Sequence, residues 1–477
     1  MSSASVDELS ASSQPRISHA LLLTAAQILR AVLRFVFIIV IARSLGPSNF
    51  GIYALLLAMV EMIAVASGSG YTDYLTRETA RDQYLGWALA RQLIWLRLAC
   101  IIPSIAIGIA ILWLLGNTRS VLIAGALISC ALIPRSVSEA VQGVVRGVGR
   151  YAAFLAIELA TGLSLVAGAS VLVLRGGGLG TAVFTEIFAA LAASVLAFAL
   201  APELGTMRHT GLSLSRLLKT CTIFNLYYFV ANLYDRLDVV LLSKLAGSAA
   251  TGVYAAAYRA IGMVQLLPYG ILYSLLPAFS RADWEEERQL KSLERAMGLL
   301  LGAAFAIVLG TMVFADAVIP RLLGSAYAES AVALKILIWA VVLRYLNYAL
   351  NIKLLAAGKE FVFVVTSALS LAVNLLGNVL LIPRFSWRAA AFLTIVTEFV
   401  LLIQNIYWLR RSLGSVPIPL GWFRTSLAFV FTLFVLLVGS RLTSPLLLGT
   451  ACLLLFILCL FRFGTFSQFT SIWAQSR

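Results

Sequence analysis

Charge is scarce in this chain. Only 12% of its 477 residues are Asp, Glu, Lys or Arg, against about 25% in soluble domains. Histidine is nearly absent. His19 and His209 are the only two, and neither belongs to a catalytic constellation, which argues against acid–base or triad enzymology. The five cysteines, Cys100, Cys130, Cys221, Cys452 and Cys459, are scattered through apolar stretches without CxxC or Cys/His spacing. That pattern excludes a disulfide framework and a zinc site. There is no GxxxxGK[ST] loop and no soluble stretch long enough to carry one, so an ATP-driven pump is excluded and no cofactor is implied. What is abundant is apolar sequence: 61% hydrophobic residues and a mean hydropathy of +0.96, the composition of a chain dissolved in the lipid bilayer.

Apolar runs of about 20 residues, bounded by polar or Gly/Pro turns, predict about fourteen membrane-spanning helices. They lie near 19–42, 51–69, 90–115, 120–142, 152–174, 179–201, 220–243, 252–276, 296–318, 331–356, 361–383, 388–409, 422–440 and 443–461. The first run is too long for a signal-peptide core and stays as the first span. Lys and Arg concentrate in the loops of one side, among them Arg77, Arg81, Arg146, Arg150, Arg208, Arg281, Arg288, Lys359 and Arg410. The positive-inside rule then puts both termini in the cytoplasm. The net charge of +15 is thus a topology signal. It is spread over many loops rather than massed in one patch, so no nucleic acid partner is expected.

The chain also repeats itself. Ala42-Arg43-Ser44-Leu45-Gly46-Pro47-Ser48-Asn49-Phe50-Gly51-Ile52-Tyr53-Ala54 returns without a gap as Ser243-Lys244-Leu245-Ala246-Gly247-Ser248-Ala249-Ala250-Thr251-Gly252-Val253-Tyr254-Ala255. Gly149-Arg150 and Phe154 find an echo in Gly358-Lys359 and Phe363. Six spans separate the motifs, and an even number preserves orientation. The expected fold is therefore an all-α polytopic membrane protein of two parallel six-helix repeats, forming two lobes, plus a C-terminal helix pair, with the site between the lobes. The expected organisation is a tail at 1–18, a first lobe at 19–201, a linker at 202–219, a second lobe at 220–411, the helix pair at 422–461 and a tail at 462–477. Two loops on the cytoplasmic side, Tyr71–Arg91 and Ser280–Arg295, mix charged with apolar residues in the manner of interfacial amphipathic helices.

Ionisable residues inside spans are costly and mark candidate sites. Arg30 and Arg34 lie four residues apart on one helical face, about 6 Å from each other. A diphosphate would satisfy both guanidinium forks, and so would Glu61 of the next span or another buried acid. The repeat sets Asp235 at the position of Arg34. Asp235 and Asp238 share a face, while Arg236 points about 100° away. This arrangement suits either a salt bridge that closes the lobes or an acid that couples an ion beside a substrate-binding base. Arg259 and Arg344 have no partner on their own helices and are further cavity candidates. Arg135 and Glu139 form an i, i+4 pair expected to neutralise itself. Glu158, Glu186 and Glu398 are expected to be protonated or hydrogen-bonded acids within the bundle, with a proton site as the alternative. The assigned site is thus Arg30, Arg34, Arg236, Arg259 and Arg344 for substrate, with Glu61, Asp235 and Asp238 for ion coupling or lobe closing.

The repeated motif resembles the polysaccharide transport family, of the O-antigen flippase type, within the multidrug/oligosaccharidyl-lipid/polysaccharide flippase superfamily. Further matches are Gln142-Gly143-Val144-Val145-Arg146-Gly147-Val148-Gly149-Arg150-Tyr151, the stretch from Asp238 through Tyr254 to Arg259, Leu322-Leu323-Gly324-Ser325-Ala326-Tyr327, and Ala356-Ala357-Gly358-Lys359. The resemblance runs over nearly the whole chain. It implies a V-shaped pair of lobes in the bacterial inner membrane. They would flip an undecaprenyl-diphosphate-linked oligosaccharide to the periplasmic leaflet, with polysaccharide polymerase and chain-length machinery as partners. It also implies that the motif glycines, Tyr53 and Tyr254 shape the turns at the outer face. A drug or cation antiporter of the same superfamily, typically with twelve helices, and a membrane polymerase or ligase, which needs a larger outer loop, are the competing classes.

Overall fold

A computed structural model describes residues 17–68, 70–206, 214–265, 286–414, 421–439 and 444–462, with short pieces at 267–268, 271–272 and 416–419. Most of the two expected tails, residues 207–213 of the linker and the 280–285 part of the second amphipathic loop lie outside the described residues. Among those described there is no strand.

The first lobe is built from α1 (Ile17–Ala66), α2 (Tyr71–Arg81), α3 (Gln83–Leu114), α4 (Arg119–Ser129), α5 (Leu132–Val148), α6 (Tyr151–Arg175) and α7 (Leu179–Ala199). The second comprises α8 (Leu214–Leu245), α9 (Gly247–Val264), α10 (Glu286–Leu323), α11 (Ala328–Leu337), α12 (Trp339–Ala356), α13 (Glu360–Phe385) and α14 (Trp387–Leu413). The pair α15 (Trp422–Gly439) and α16 (Pro445–Arg462) follows. Among the described residues nine helices, with α4 and α5 taken as one, are long and apolar enough to cross a membrane, and Ser325–Leu337 with α12, bent by 42°, makes a tenth if the pair is one span. The first two expected spans are both in α1, which breaks at Gly46 with φ 69° and ψ 169° ahead of Pro47. Only glycine adopts that backbone readily, and its repeat mate at the α8–α9 junction, Gly247, is also left-handed at φ 85°.

The amphipathic helix expected after the second span is α2. Its Tyr71, Tyr74 and Leu75 are buried in a core cluster of the first lobe with Val141, Val144 and Val145 of α5, and Thr79 is buried as well. Asp82 ends it and starts α3, accepting hydrogen bonds from the Tyr84 and Leu85 amides at 2.9 and 3.1 Å, an N-cap that fixes the corner. The pair α15–α16 rests on α10. Phe305 and Phe429 stack at 4.1 Å with planes 12° apart, and Gly449 of α16 lies hard against Val313. No ion pair reaches this hairpin among the described residues.

Apolar contact gives helices no advantage over lipid, so close backbone approach and interhelical hydrogen bonds must hold the lobes together. Both occur at the end that carries the repeated motif. A Cβ built on Gly51 would run into the Ser248 carbonyl, and one built on Gly252 into the Pro47 carbonyl. Since Pro47 and Ser248 are themselves repeat mates, the contact is reciprocal and marks the pseudo-twofold axis. Around it, Arg43 donates to the Arg321 carbonyl at 3.1 Å, and its mate Lys244 donates to the Leu115 carbonyl at 2.7 Å. Tyr327 donates to the Ala42 carbonyl at 2.8 Å. Thus Gly46 and Gly247 do shape turns, whereas Gly51 and Gly252 seal the lobes. Tyr53 and Tyr254 lie inside helices, 0% and 1% exposed.

Candidate functional site

A cavity of about 420 Å³ lies inside the first lobe, bounded by α1, α5, α6 and α7, and α9 of the second lobe adds Arg259 to its wall. Its polar lining is mostly charged, four arginines and four glutamates with Ser138, Gln142 and Thr161. A lone cation at the centre of a bilayer costs about 2.5–3.5 kcal/mol or more, and the helices around the cavity meet that cost with acids. Arg34 bonds Glu186 at 2.8 Å, and the Tyr53 hydroxyl donates to the same carboxylate at 2.5 Å. The Arg34 guanidinium also lies 5.3 Å from the centre of the Phe37 ring, a cation–π contact. Arg30 reaches Glu158 at 3.5 Å. Glu139 is held from two sides, by Arg135 at 2.7 Å and by Arg97 at 2.5 Å.

Arg30 and Arg34 therefore share a face and a cavity, as the spacing predicts, but each has its own acid. Those acids come from α6 and α7, not from Glu61. Glu61 instead bridges the lobes by pairing with Arg236 of α8. Arg259 lines the cavity and makes no ion pair or hydrogen bond among the described residues. Arg30 lies one helical turn farther from the sealed end than Arg34. Its side chain is 57% exposed against 27% for Arg34, so the cavity opens away from the motif. At that far end Tyr228 of the second lobe donates to Asp73 of α2.

The remaining candidates are gathered in the second lobe. Arg344 lies in a buried network: its Nε donates to Glu398 at 2.7 Å and it approaches Asp235 at 3.8 Å. Asn347 completes the Glu398 carboxylate at 2.9 Å, and Tyr258 donates to Asp235 at 3.3 Å. Asp238, 4% exposed, accepts hydrogen bonds from Tyr254 at 2.8 Å, Asn378 at 2.8 Å and Thr394 at 3.4 Å. No cation pairs with it among the described residues. Asn378 bonds Asn374 at 2.9 Å, and the Asn378 carbonyl oxygen finds no donor among the described residues. The expected alignment of Arg34 with Asp235 does not make a bridge, and Glu61–Arg236 is the ion pair between lobes among the described residues.

Several residues were missed in the sequence. Arg97 sits outside any charge pattern and is found only because Glu139 reaches it. The amides Asn347, Asn374 and Asn378 and the hydroxyl of Thr394 carried a signal that charge counting overlooks, namely amide and hydroxyl groups within apolar spans. Tyr53 and Tyr254 were noticed for the motif they belong to, not for the carboxylates they bind.

Comparison with known proteins agrees with this architecture. The probable low-salt glycan biosynthesis flippase Agl15 of Haloferax volcanii is 22% identical over 438 residues, 89% of this chain and 91% of that protein. The capsular polysaccharide biosynthesis protein CapF of Staphylococcus aureus is 25% identical over 176 residues, 36% of this chain and 44% of CapF. Among solved structures, the lipid II flippase MurJ in an inward closed conformation superposes with a TM-score of 0.72 at 14% identity, covering 95% of this chain and all of that one. An inward-facing multidrug resistance MATE transporter gives 0.67 at 14% identity, over 80% of this chain and 94% of its own. The fold is thus that of the MOP superfamily transporters, and the relatives are flippases and transporters, not enzymes. The polysaccharide biosynthesis protein model matches residues 18–283, more than half of the chain, and this multi-pass membrane protein belongs to that family.

Proposed function

We propose that the chain flips an undecaprenyl-diphosphate-linked oligosaccharide repeat from the cytoplasmic to the periplasmic leaflet of the bacterial inner membrane, for surface polysaccharide assembly. The observation that carries this reading is the set of arginines brought to one cavity. Arg30, Arg34 and Arg259 line it together, and Arg259 makes no ion pair or hydrogen bond among the described residues. A diphosphate matches such guanidinium forks in geometry and charge, and a membrane cavity keeps an uncompensated cation only where a ligand repays it. The opening away from the motif suits loading from the cytoplasmic side, with both termini there. Lipid tails would remain in the bilayer, and the polymerase and chain-length machinery would take the product.

Arg236 and Glu61 serve in this reading as the bridge that holds the lobes together. Asp235, tied to Arg344 and Tyr258, shapes the facing wall. Asp238 is the ion-coupling residue, since its carboxylate is buried, rich in donors and lacks a cation among the described residues. The family and the Agl15 likeness favour a lipid-linked glycan over a drug or organic cation.

The test is a strain that lacks the gene, with its lipid-linked repeats assigned to a leaflet and its surface polymer measured. Repeats trapped in the cytoplasmic leaflet, with loss of polymer and recovery on complementation, are expected. Normal polymer with no trapped lipid would refute the assignment.

A further inference from the structure

Arg30 and Arg34 are neutralised in different ways. Glu186 is bound twice over, by Arg34 at 2.8 Å and by the Tyr53 hydroxyl at 2.5 Å. Glu158 is held by one contact of 3.5 Å from Arg30. The two partners of that contact are also unlike each other: the Arg30 side chain is 57% exposed and that of Glu158 only 7%. Arg30 can therefore swing away through open space while Glu158 stays in place on α6. The strongest other charged neighbours of Glu158 are Arg135, Arg146 and Glu139. Arg135 is committed to Glu139, and Arg146 reaches Asp73 at 3.5 Å. Once Arg30 leaves, neither of these two arginines is free to answer the Glu158 carboxylate.

From this geometry we infer that Glu158 is a built-in competitor for Arg30, occupying its guanidinium in the empty transporter and giving it up to the diphosphate of the substrate. This rests on the reading of the cavity as a diphosphate site. No covalent bond changes: one N–H donor set moves from a carboxylate oxygen to phosphate oxygens and later returns. The exchange solves a problem peculiar to a membrane cavity. An arginine left bare after release would be as costly as one left bare before loading, and a dianion gripped by several arginines would leave slowly. A carboxylate only 7% exposed and left without its cation pulls the arginine back, so the cost of loading becomes the driving force for release. Glu158 is in this sense a positioning residue that acts through Arg30. Glu186, locked by Tyr53, keeps Arg34 fixed throughout.

The measurement is calorimetric binding of farnesyl diphosphate to the purified full-length chain in detergent, paired with the leaflet assay in cells. Glu158→Gln keeps the shape and removes the charge. It should bind farnesyl diphosphate about tenfold more tightly, a gain of 1.4 kcal/mol, while flipping more slowly because release is impaired. In an Arg30→Gln background the same substitution should leave affinity unchanged, as a closed double-mutant cycle requires. If Glu158→Gln does not reach the membrane, Glu158→Asp, which withdraws the carboxylate by one methylene, should tighten binding with the same sign. A parent protein that binds the prenyl diphosphate with no tightening in either variant overturns the inference alone. Tightening that persists without Arg30 overturns it as well. A parent that binds no prenyl diphosphate removes the diphosphate reading and the inference with it.

Discussion

In the first lobe Tyr53 gives its hydroxyl to Glu186, which neutralises Arg34. In the second, the matching Tyr254 gives its hydroxyl to Asp238, and no cation answers that carboxylate among the described residues. The tyrosines are repeat mates, and the backbones that carry them meet reciprocally at Gly51 and Gly252. Duplication has kept the frame and changed the chemistry inside it. The first lobe holds an open, charge-lined cavity whose ion pairs sit at its wall, while the second buries Arg344, Glu398 and Asp238 in closed hydrogen-bonded networks. A transporter needs both: one surface that exchanges partners with a substrate, and one rigid body against which to rock.

The sharpest way to break that contrast is Arg344→Ala. It would strand Glu398, 2% exposed, and removing one partner of a buried pair costs about 3–5 kcal/mol. Thermal unfolding in detergent should register this as the largest loss of any single arginine. Arg30→Ala, at a side chain more than half exposed, should cost distinctly less. Equal losses would mean that the two lobes do not divide their charge as described.

Next in size comes the seal between lobes. Gly51→Ala and Gly252→Ala should each cost about 1–3 kcal/mol, the usual range for overpacking, and the two values should match because the contacts are mirror copies. Gly180→Ala, where an added Cβ meets nothing within 4 Å, is the control. Unequal costs at the two motif glycines would show that the pseudo-twofold axis is not energetically real.

The tyrosines then sharpen the comparison at finer scale. Tyr254→Phe removes a donor from a carboxylate that has only neutral partners, and a hydrogen bond to a charged group is worth about 2 kcal/mol. Tyr53→Phe leaves Glu186 still paired with Arg34 and should cost about 1 kcal/mol. Unfolding midpoints of the two variants, measured side by side, give the order directly.

Much of this was legible in the sequence because it is written in local terms. Apolar length gave the all-helical membrane fold, the repeat gave two parallel lobes, and four-residue spacing gave Arg30 and Arg34 a common face. Partner choice was not legible. Glu158 and Glu186 lie 128 and 152 residues from the arginines they neutralise, and nothing in their own helices points to α1. The opposite charges at Arg34 and Asp235 invited a bridge between lobes, yet each turned inward to its own lobe. The neighbouring Arg236, about 100° around the helix, made the crossing to Glu61 instead. The motif glycines were read as turn formers because glycine in a turn is the commoner case. Only three-dimensional proximity shows that Gly51 and Gly252 are there for want of a Cβ.

The smallest expected effect on stability is also the most telling. Arg259 belongs to the second lobe by sequence and to the cavity of the first by position. With no ion pair or hydrogen bond to strand among the described residues, Arg259→Ala should change stability by no more than about 0.5 kcal/mol. Transport of the lipid-linked repeat should nevertheless be lost, and Arg259→Lys should restore it only in part, because an ammonium keeps the charge but not the bidentate fork. A large loss of stability would turn Arg259 into another structural arginine like Arg344. Unimpaired transport would leave Arg30 and Arg34 to hold the anion from one lobe, and the substrate would then have no charged contact by which to draw the second lobe after it.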